Sequence, residues 1–386
     1  MRLKQTTLML VACLAVATTQ AATWNITLIE QADNPQLDRT RLERAYLGHP
    51  GGSAADGLNV AVEEAQFELE AEKAGIKLKL ETAANLDAAK KAAQAAEKAG
   101  AALLVLNLPG AWVAPVAASV KLPLLNVRAR EDALREKDCA LNLYHLIPSE
   151  RMLADAMAQA LVARRWQNTL VLAGALPEDA ARSVVVAAAL KRYGLKTIAV
   201  KPFKLSADPR ERALGNLALL TGNLAYDAVW VIDSDGEFAR SLPYNTALPR
   251  PVVGDGGLVA LSWQAQFERF GAPQVSRRFA KAAKRPMTDS DWAAWMAGKA
   301  IVAVATATQK LDAATLHKAL LAANLDGSKG VALQFRPWDR QLRQPLLLSD
   351  GQGVQGMMPL EGVMHPRNVL DTLGADEPEK LCKAKS

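Results

Sequence analysis

The chain has 386 residues, half of them hydrophobic and 22% charged, which is the make-up of a globular protein long enough for two lobes. Its 46 basic and 40 acidic side chains leave a net charge of +6 without the dense basic stripe of a nucleic-acid binder. His49, His145, His317 and His365 lie far apart and no Cys-x-x-Cys occurs, which argues against a structural zinc site.

At the N-terminus, Arg2 and Lys4 precede the apolar run LMLVACLAVA (8–17) and the small-residue stretch TTQAA. That is the three-part pattern of a secretory signal peptide, residues 1–22, with cleavage near Ala21 or Ala22. LVAC (10–13) has the form of a lipoprotein box that would leave Cys13 lipidated. The apolar run continues beyond Cys13, which favours ordinary cleavage. Loss of Arg2 and Lys4 takes the net charge from +6 to +4, a mild bias towards anionic small partners. Cys139 and Cys382 then remain, and either a disulfide or two free thiols is compatible with the sequence. No later run of about 18 apolar residues reads as a membrane span.

Downstream, short strand-like runs alternate with helical stretches. WNITLI (24–29), IKLKL (76–80), ALLVL (102–106) and PLLNV (123–127) form one set. TLVLA (169–173), KTIAV (196–200), AVWVI (228–232) and PVV (251–253) form a second. Over 53–74, Leu58, Ala61, Val62, Ala65 and Leu69 share one helical face, with Ser53 as N-cap and Gly75 as the stop. An alanine-rich helix follows over 88–100. Such alternation predicts parallel sheets covered on both faces, and two sets predict two similar lobes.

After about 260 the pattern changes to helices over 276–284, 290–310 and 313–323, then GVALQF (330–335) and PLLLS (345–349). This tail must return to lobes already built. The predicted fold is α/β, two doubly wound parallel-sheet lobes joined by a hinge that the chain crosses several times. Residues 23–144 with 264–330 are assigned to one lobe, 145–263 with 331–386 to the other. Ligands of such sheets bind outside the carboxyl ends of the strands, in the cleft.

Motifs of enzymes fail their context tests. GQGVQG (351–356) matches a dinucleotide fingerprint in form, but no helix or second strand completes a βαβ unit. HPGGS (49–53) lacks the nucleophile elbow of a hydrolase, and DSDGE (233–237) lacks the later ligands of a calcium loop. No acid–base couple stands out, so neither an enzyme nor a metal site is predicted.

Three segments carry a resemblance: GSAADGLNVAVEEA (52–65), ADPRERALGNLALLTGNLAYDAVWV (207–231) and DSDWAAWMAGKAIVAVA (289–305). With GSKGVALQFRPWDRQLRQP (327–345) as a final crossover, the chain resembles type 1 periplasmic solute-binding proteins over about residues 24 to 375. It is similar to the branched-chain amino-acid binding proteins of ABC importers. PWDRQLRQPLLLSDGQGV (337–354) and DTLGADEPEKLC (371–382) are similar to the subgroup associated with pyrroloquinoline-quinone (PQQ)-dependent alcohol oxidation. The resemblance implies a periplasmic protein with PQQ as a candidate ligand and no catalytic cofactor. Its implied partner is an inner-membrane ABC permease, or a periplasmic PQQ-dependent dehydrogenase that it supplies or serves as a sensor. An amino acid, a short amide or a small carboxylic acid is the alternative ligand.

The residues offer a check on the ligand. Amino-acid binders of the family hold the ligand carboxylate with a hydroxyl-rich loop after the third strand. The corresponding LPGAW (108–112) has no hydroxyl and instead presents Trp112, a flat face for a planar ring. Arg128 and Arg130 follow the next strand and suit carboxylates, although alternation would turn only one of them to the cleft. Trp263 is expected to close over the ligand from the second lobe and Ser234 to donate a hydrogen bond. Tyr46 and His49 are further candidates in the loop after the first strand.

Overall fold

The computed structural model describes residues 22–44, 51–362 and 365–383, so the predicted signal peptide, Cys13, Tyr46 and His49 lie outside the described residues. The first sheet contains β1 (Ala22–Gln31), β2 (Ala74–Ala83), β3 (Leu103–Asn107), β4 (Leu124–Asn126) and β5 (Leu143–His145). All neighbours are parallel, in the order β2-β1-β3-β4-β5. The second contains β6 (Asn168–Ala173), β7 (Lys196–Pro202), β8 (Ala228–Ile232) and β9 (Val252–Gly254), also parallel, in the order β7-β6-β8-β9.

Each sheet is covered on both faces, which explains why its central strands read as continuous apolar runs. On the first, Trp24, Ile26 and Leu28 face one cluster while Ile29, Leu104 and Leu106 face another. On the second, Val171, Trp230 and Ile232 face one cluster while Leu170, Val229 and Val231 face the other. Alternate residues of one strand therefore serve opposite layers.

The Asp289–Ala307 helix returns to the first lobe and packs on the Ala54–Glu64 helix. A Cβ on Gly57 would come within 2.5 Å of the Asp291 carbonyl oxygen, and one on Gly298 within 2.5 Å of the Ala61 Cβ. Glycine at both positions lets the two helices approach that closely. The helix expected over 53–74 is interrupted at Ala65, whose ψ of 9° leaves the helical region, and resumes as Gln66–Ala71. GQGVQG falls in an antiparallel hairpin. Its sheet joins β10 (Val259–Leu261), β13 (Leu346–Ser349) and β14 (Val354–Met358), while β11 (Leu325–Asp326) and β12 (Ala332–Leu333) form a separate ribbon.

The hinge is a buried polar assembly. Gln341 Nε2 donates to the carbonyls of His145 and Ile147, and its Oε1 accepts from Arg135 Nε. Arg336, fully buried, donates to Asp371 and to the carbonyls of Leu370, Leu373 and Ala375. These bonds hold the C-terminal segment across both lobes, because Leu370 packs in a first-lobe cluster and Leu373 in a second-lobe cluster. The segment then reaches the loop between β4 and β5, where Cys382 forms a disulfide with Cys139. The pairing left open by the sequence is thus settled.

Candidate functional site

The carboxyl ends of both sheets bring together the polar groups of the cleft. On the first lobe, Glu30 near the end of β1 accepts from Ser53 Oγ (2.8 Å), the Ala54 N–H (2.7 Å) and Asn107 Nδ2 (2.9 Å). A carboxylate at a helix N-terminus complements the exposed N–H groups there. Asn126, at the end of β4, folds the next turn by accepting the N–H groups of Arg128 and Ala129. That turn carries both candidate arginines. Arg128 Nη1 donates to Gln31 Oε1 at 2.8 Å, and Arg130 pairs with Asp289. Arg130 Nη1 is buried and has no hydrogen-bond partner among the described residues.

Trp112 lies in the helix Gly110–Ala117, not in an extended loop, because Pro109 serves as N-cap and the Trp112 N–H bonds back to the Pro109 carbonyl. Its indole is half-buried against the cluster beneath β3. The Glu131 carboxylate lies against Gly110, where a Cβ would meet its Oε1 at 2.1 Å. A side chain at 110 would displace it.

Trp263 departs from expectation. It is 1% exposed, packs in the first-lobe core and stacks on Trp292 with centroids 6.3 Å apart. It presents no face to a ligand, because the chain has already crossed back into the first lobe before residue 263.

On the second lobe, Ser234 follows β8 and its N–H donates to Asp179 Oδ1 at 2.7 Å. Arg182 lies in the second turn of the Pro177–Arg192 helix and forms a two-pronged pair with Asp255 at 2.7 and 2.9 Å. Its Nη1 also reaches Ser234 Oγ at 3.5 Å, and its Nε lies 3.6 Å from Glu150. Burial opposes the Arg182 charge, but Asp255 and Glu150 outweigh it and hold the guanidinium above its ordinary pKa. Burial pushes the Glu150 carboxyl up, against the pull of Arg182 and Arg130. Glu150 opens the Glu150–Ala163 helix directly after the first crossover, and its N–H bonds to the Arg130 carbonyl. It therefore sits where the two lobes meet.

Behind Glu150, Arg182 and Asp255, a small recess runs between the Glu150–Ala163 and Pro177–Arg192 helices onto β8 and β9. Met157, Val186, Trp230 and Ala260 line it. At the outer end of the cleft Arg240 crosses between lobes, donating to the Glu43 carbonyl at 3.1 Å. DSDGE is a strand-to-turn corner, with Asp233 accepting the Ala239 N–H.

The structure thus brings Arg128, Arg130 and Ser234 to the sheet ends, places Trp112 on an adjoining helix and removes Trp263. Sequence reading missed Glu150, Arg182, Asp255 and Arg240. Asp255 was legible as the acid one residue past PVVG at a strand end. Glu150 was legible as the first residue after the Ser149 cap. Among the described residues no cluster of potential ligands could hold a metal ion, and no helix is long and apolar enough to cross a membrane.

No family model and no curated protein matches the chain. Among solved structures, a periplasmic binding protein from Burkholderia mallei superposes with a TM-score of 0.68 at 14% identity, covering 95% of this chain and 100% of that one. An amino acid ABC transporter substrate-binding protein from Pseudomonas fluorescens gives 0.68 at 14% identity, over 87% and 95% of the two chains. A solute-binding protein of an ABC transporter from Rhodopseudomonas palustris, in complex with 3,4-dihydroxy benzoic acid, gives 0.65 at 12% identity, over 87% and 97%. The fold of this chain is therefore the two-lobed α/β fold of periplasmic binding proteins of ABC transporters.

Proposed function

We propose that the chain is a periplasmic solute-binding protein that captures a small planar anionic ligand between its lobes and presents it to an ABC permease. The observation that carries this reading is the set of three arginines at the cleft: Arg128 and Arg130 on the first lobe and Arg240 on the second. Guanidinium groups bind carboxylates in planar, two-pronged geometry, and a ligand touching both lobes favours the closed form by differential affinity.

PQQ is the leading ligand. It is a fused aromatic tricarboxylate, suited to stacking on Trp112 with its carboxylates on Arg128 and Arg130 and with Ser234 as a donor from the second lobe. Supply to a periplasmic PQQ-dependent dehydrogenase would use the same capture. Titration of the mature protein with PQQ, followed by calorimetry or tryptophan fluorescence, is expected to saturate in the micromolar range or below. A linear response throughout that range would overturn the assignment. A small aromatic carboxylic acid is the second reading, favoured by the structural neighbour that holds 3,4-dihydroxy benzoic acid. Displacement of PQQ by that acid at comparable concentration would select it.

A further inference from the structure

We propose that the recess behind Glu150, Arg182 and Asp255 is a separate ligand subsite on the second lobe, built for a short carbon chain that ends in a hydrogen-bond donor, an ammonium or a hydroxyl. The inference rests on the reading of the cleft as a solute-binding cleft, but not on PQQ being the solute.

Size comes first. The recess has a volume of about 60 Å³. An apolar cavity of about 150 Å³ is the scale that takes a benzene ring. A whole aromatic ring is therefore excluded, and about two or three carbons of a short chain fill the space, the rest reaching the mouth. The lining sets the chemistry of that chain. Met157, Val186 and Ala260 offer no strong hydrogen-bonding group and Trp230 only its indole N–H, so the inner end takes hydrocarbon and most buried polar atoms there would be penalised.

The mouth sets the chemistry of the head group. Two carboxylates and one guanidinium meet there, with side chains 26% (Glu150), 23% (Asp255) and 27% (Arg182) exposed. Asp255 is largely engaged, accepting both Arg182 amino groups and the Asp233 N–H, three of about four acceptor sites. Glu150 is different. Its nearest cation is Arg182 Nε at 3.6 Å, longer than a hydrogen bond, and among the described residues its carboxylate accepts none. Most of the remaining acceptor capacity at the mouth belongs to Glu150, which feels Arg130 as well as Arg182 but accepts a hydrogen bond from neither. A donor head on the bound chain satisfies that carboxylate. A carboxylate head would meet two like charges, with the guanidinium already taken.

The position gives the subsite a role in closure. Glu150 follows the first crossover directly and is bonded through its backbone to Arg130 of the first lobe. A group held by Glu150 is therefore held at the hinge side of the cleft, where both lobes contribute.

The test uses the mature chain and three probes of equal length: n-butylammonium, butan-1-ol and butyrate, followed by saturation-transfer NMR and calorimetry. Butylammonium or butanol is expected to bind saturably and butyrate at least about tenfold more weakly, the size of one charge-assisted contact. Glu150→Gln is expected to weaken butylammonium about tenfold or more. Val186→Phe, which fills the recess, is expected to abolish binding of all probes while circular dichroism and Tm report an intact fold. A response to ammonium alone identifies a cationic head, and a response to both identifies a hydroxyl-tolerant one. Tightest binding by butyrate, unchanged binding in a folded Val186→Phe, or no binding of any probe at millimolar concentration overturns the proposal. A PQQ titration of the parent protein in parallel separates the two readings, since absence of PQQ binding bears on the ligand assignment and leaves the recess untouched.

Discussion

The hinge and the cleft rim are built from the same residue types and put them to opposite uses. In the hinge, Arg336 is fully buried and meets Asp371 together with three backbone carbonyls. At the rim, Arg182 is 27% exposed, and its partners are two side chains that can rotate away. Enclosure by backbone makes an arginine part of the framework, because no ligand can replace a carbonyl that the fold itself positions. Pairing by side chains near a wet surface leaves an arginine held by charge rather than by the framework, at the modest energy typical of such pairs.

The largest expected effect comes from breaking the hinge side of that contrast. Arg336→Met leaves Asp339 buried without its main cation, strips Asp371 of one of its two arginines and orphans three backbone carbonyls, and should cost about 3–5 kcal/mol of unfolding free energy in a denaturant titration. Ligand affinity of the folded fraction should not change. Cys139→Ser with Cys382→Ser should lower stability by about 2–4 kcal/mol, read as a fall in Tm that reductant reproduces in the parent protein.

Acidification sharpens the same comparison. His145 is 1% exposed at the end of β5, bonded to Asn126 through Nδ1, with Nε2 buried and lacking a partner among the described residues. Burial, with the neighbouring Arg135 charge, holds its pKa well below 6.5. The unfolded chain binds a proton near pH 6.5 that the folded chain refuses, so this group's stabilisation is present above that pH and lost as pH falls towards the folded pKa. Stability should drop by about 1.4 kcal/mol from this residue between pH 7.5 and 5.5, and His145→Gln should flatten that part of the profile. The smallest effect belongs to the rim. Trp112→Ala should weaken PQQ binding by about 1 kcal/mol, with Tm changed little because the indole is only half-buried. Unaltered affinity would assign Trp112 to the framework.

The fold was legible because parallel strands covered on both faces leave continuous apolar runs such as ALLVL and AVWVI, separated by helices, one with a readable cap at Ser53. The three-residue strand β5 was missed because LYH has no continuous apolar run around it, whereas the equally short β4 and β9 sit in the apolar runs PLLNV and PVV. The site was legible in part. Arg128 and Arg130 could be placed because they follow a recognisable strand immediately. Trp263 was misplaced because where the chain recrosses depends on the packing of Trp263 on Trp292, far ahead in sequence. Glu150, Arg182 and Asp255 come from three separate segments, and only the packing of two helices on the second sheet makes them neighbours.

The bond between Cys139 and Cys382 turns the stretch between them, 243 positions apart, into a covalent ring that contains every strand of the second sheet. A single proteolytic cut within that ring, for instance among the exposed residues near Arg210, leaves one molecule of unchanged mass apart from the added water. Two pieces separate only after reduction. The ring closes only when Cys382 reaches Cys139, so the second sheet is locked by a bond formed outside its own lobe.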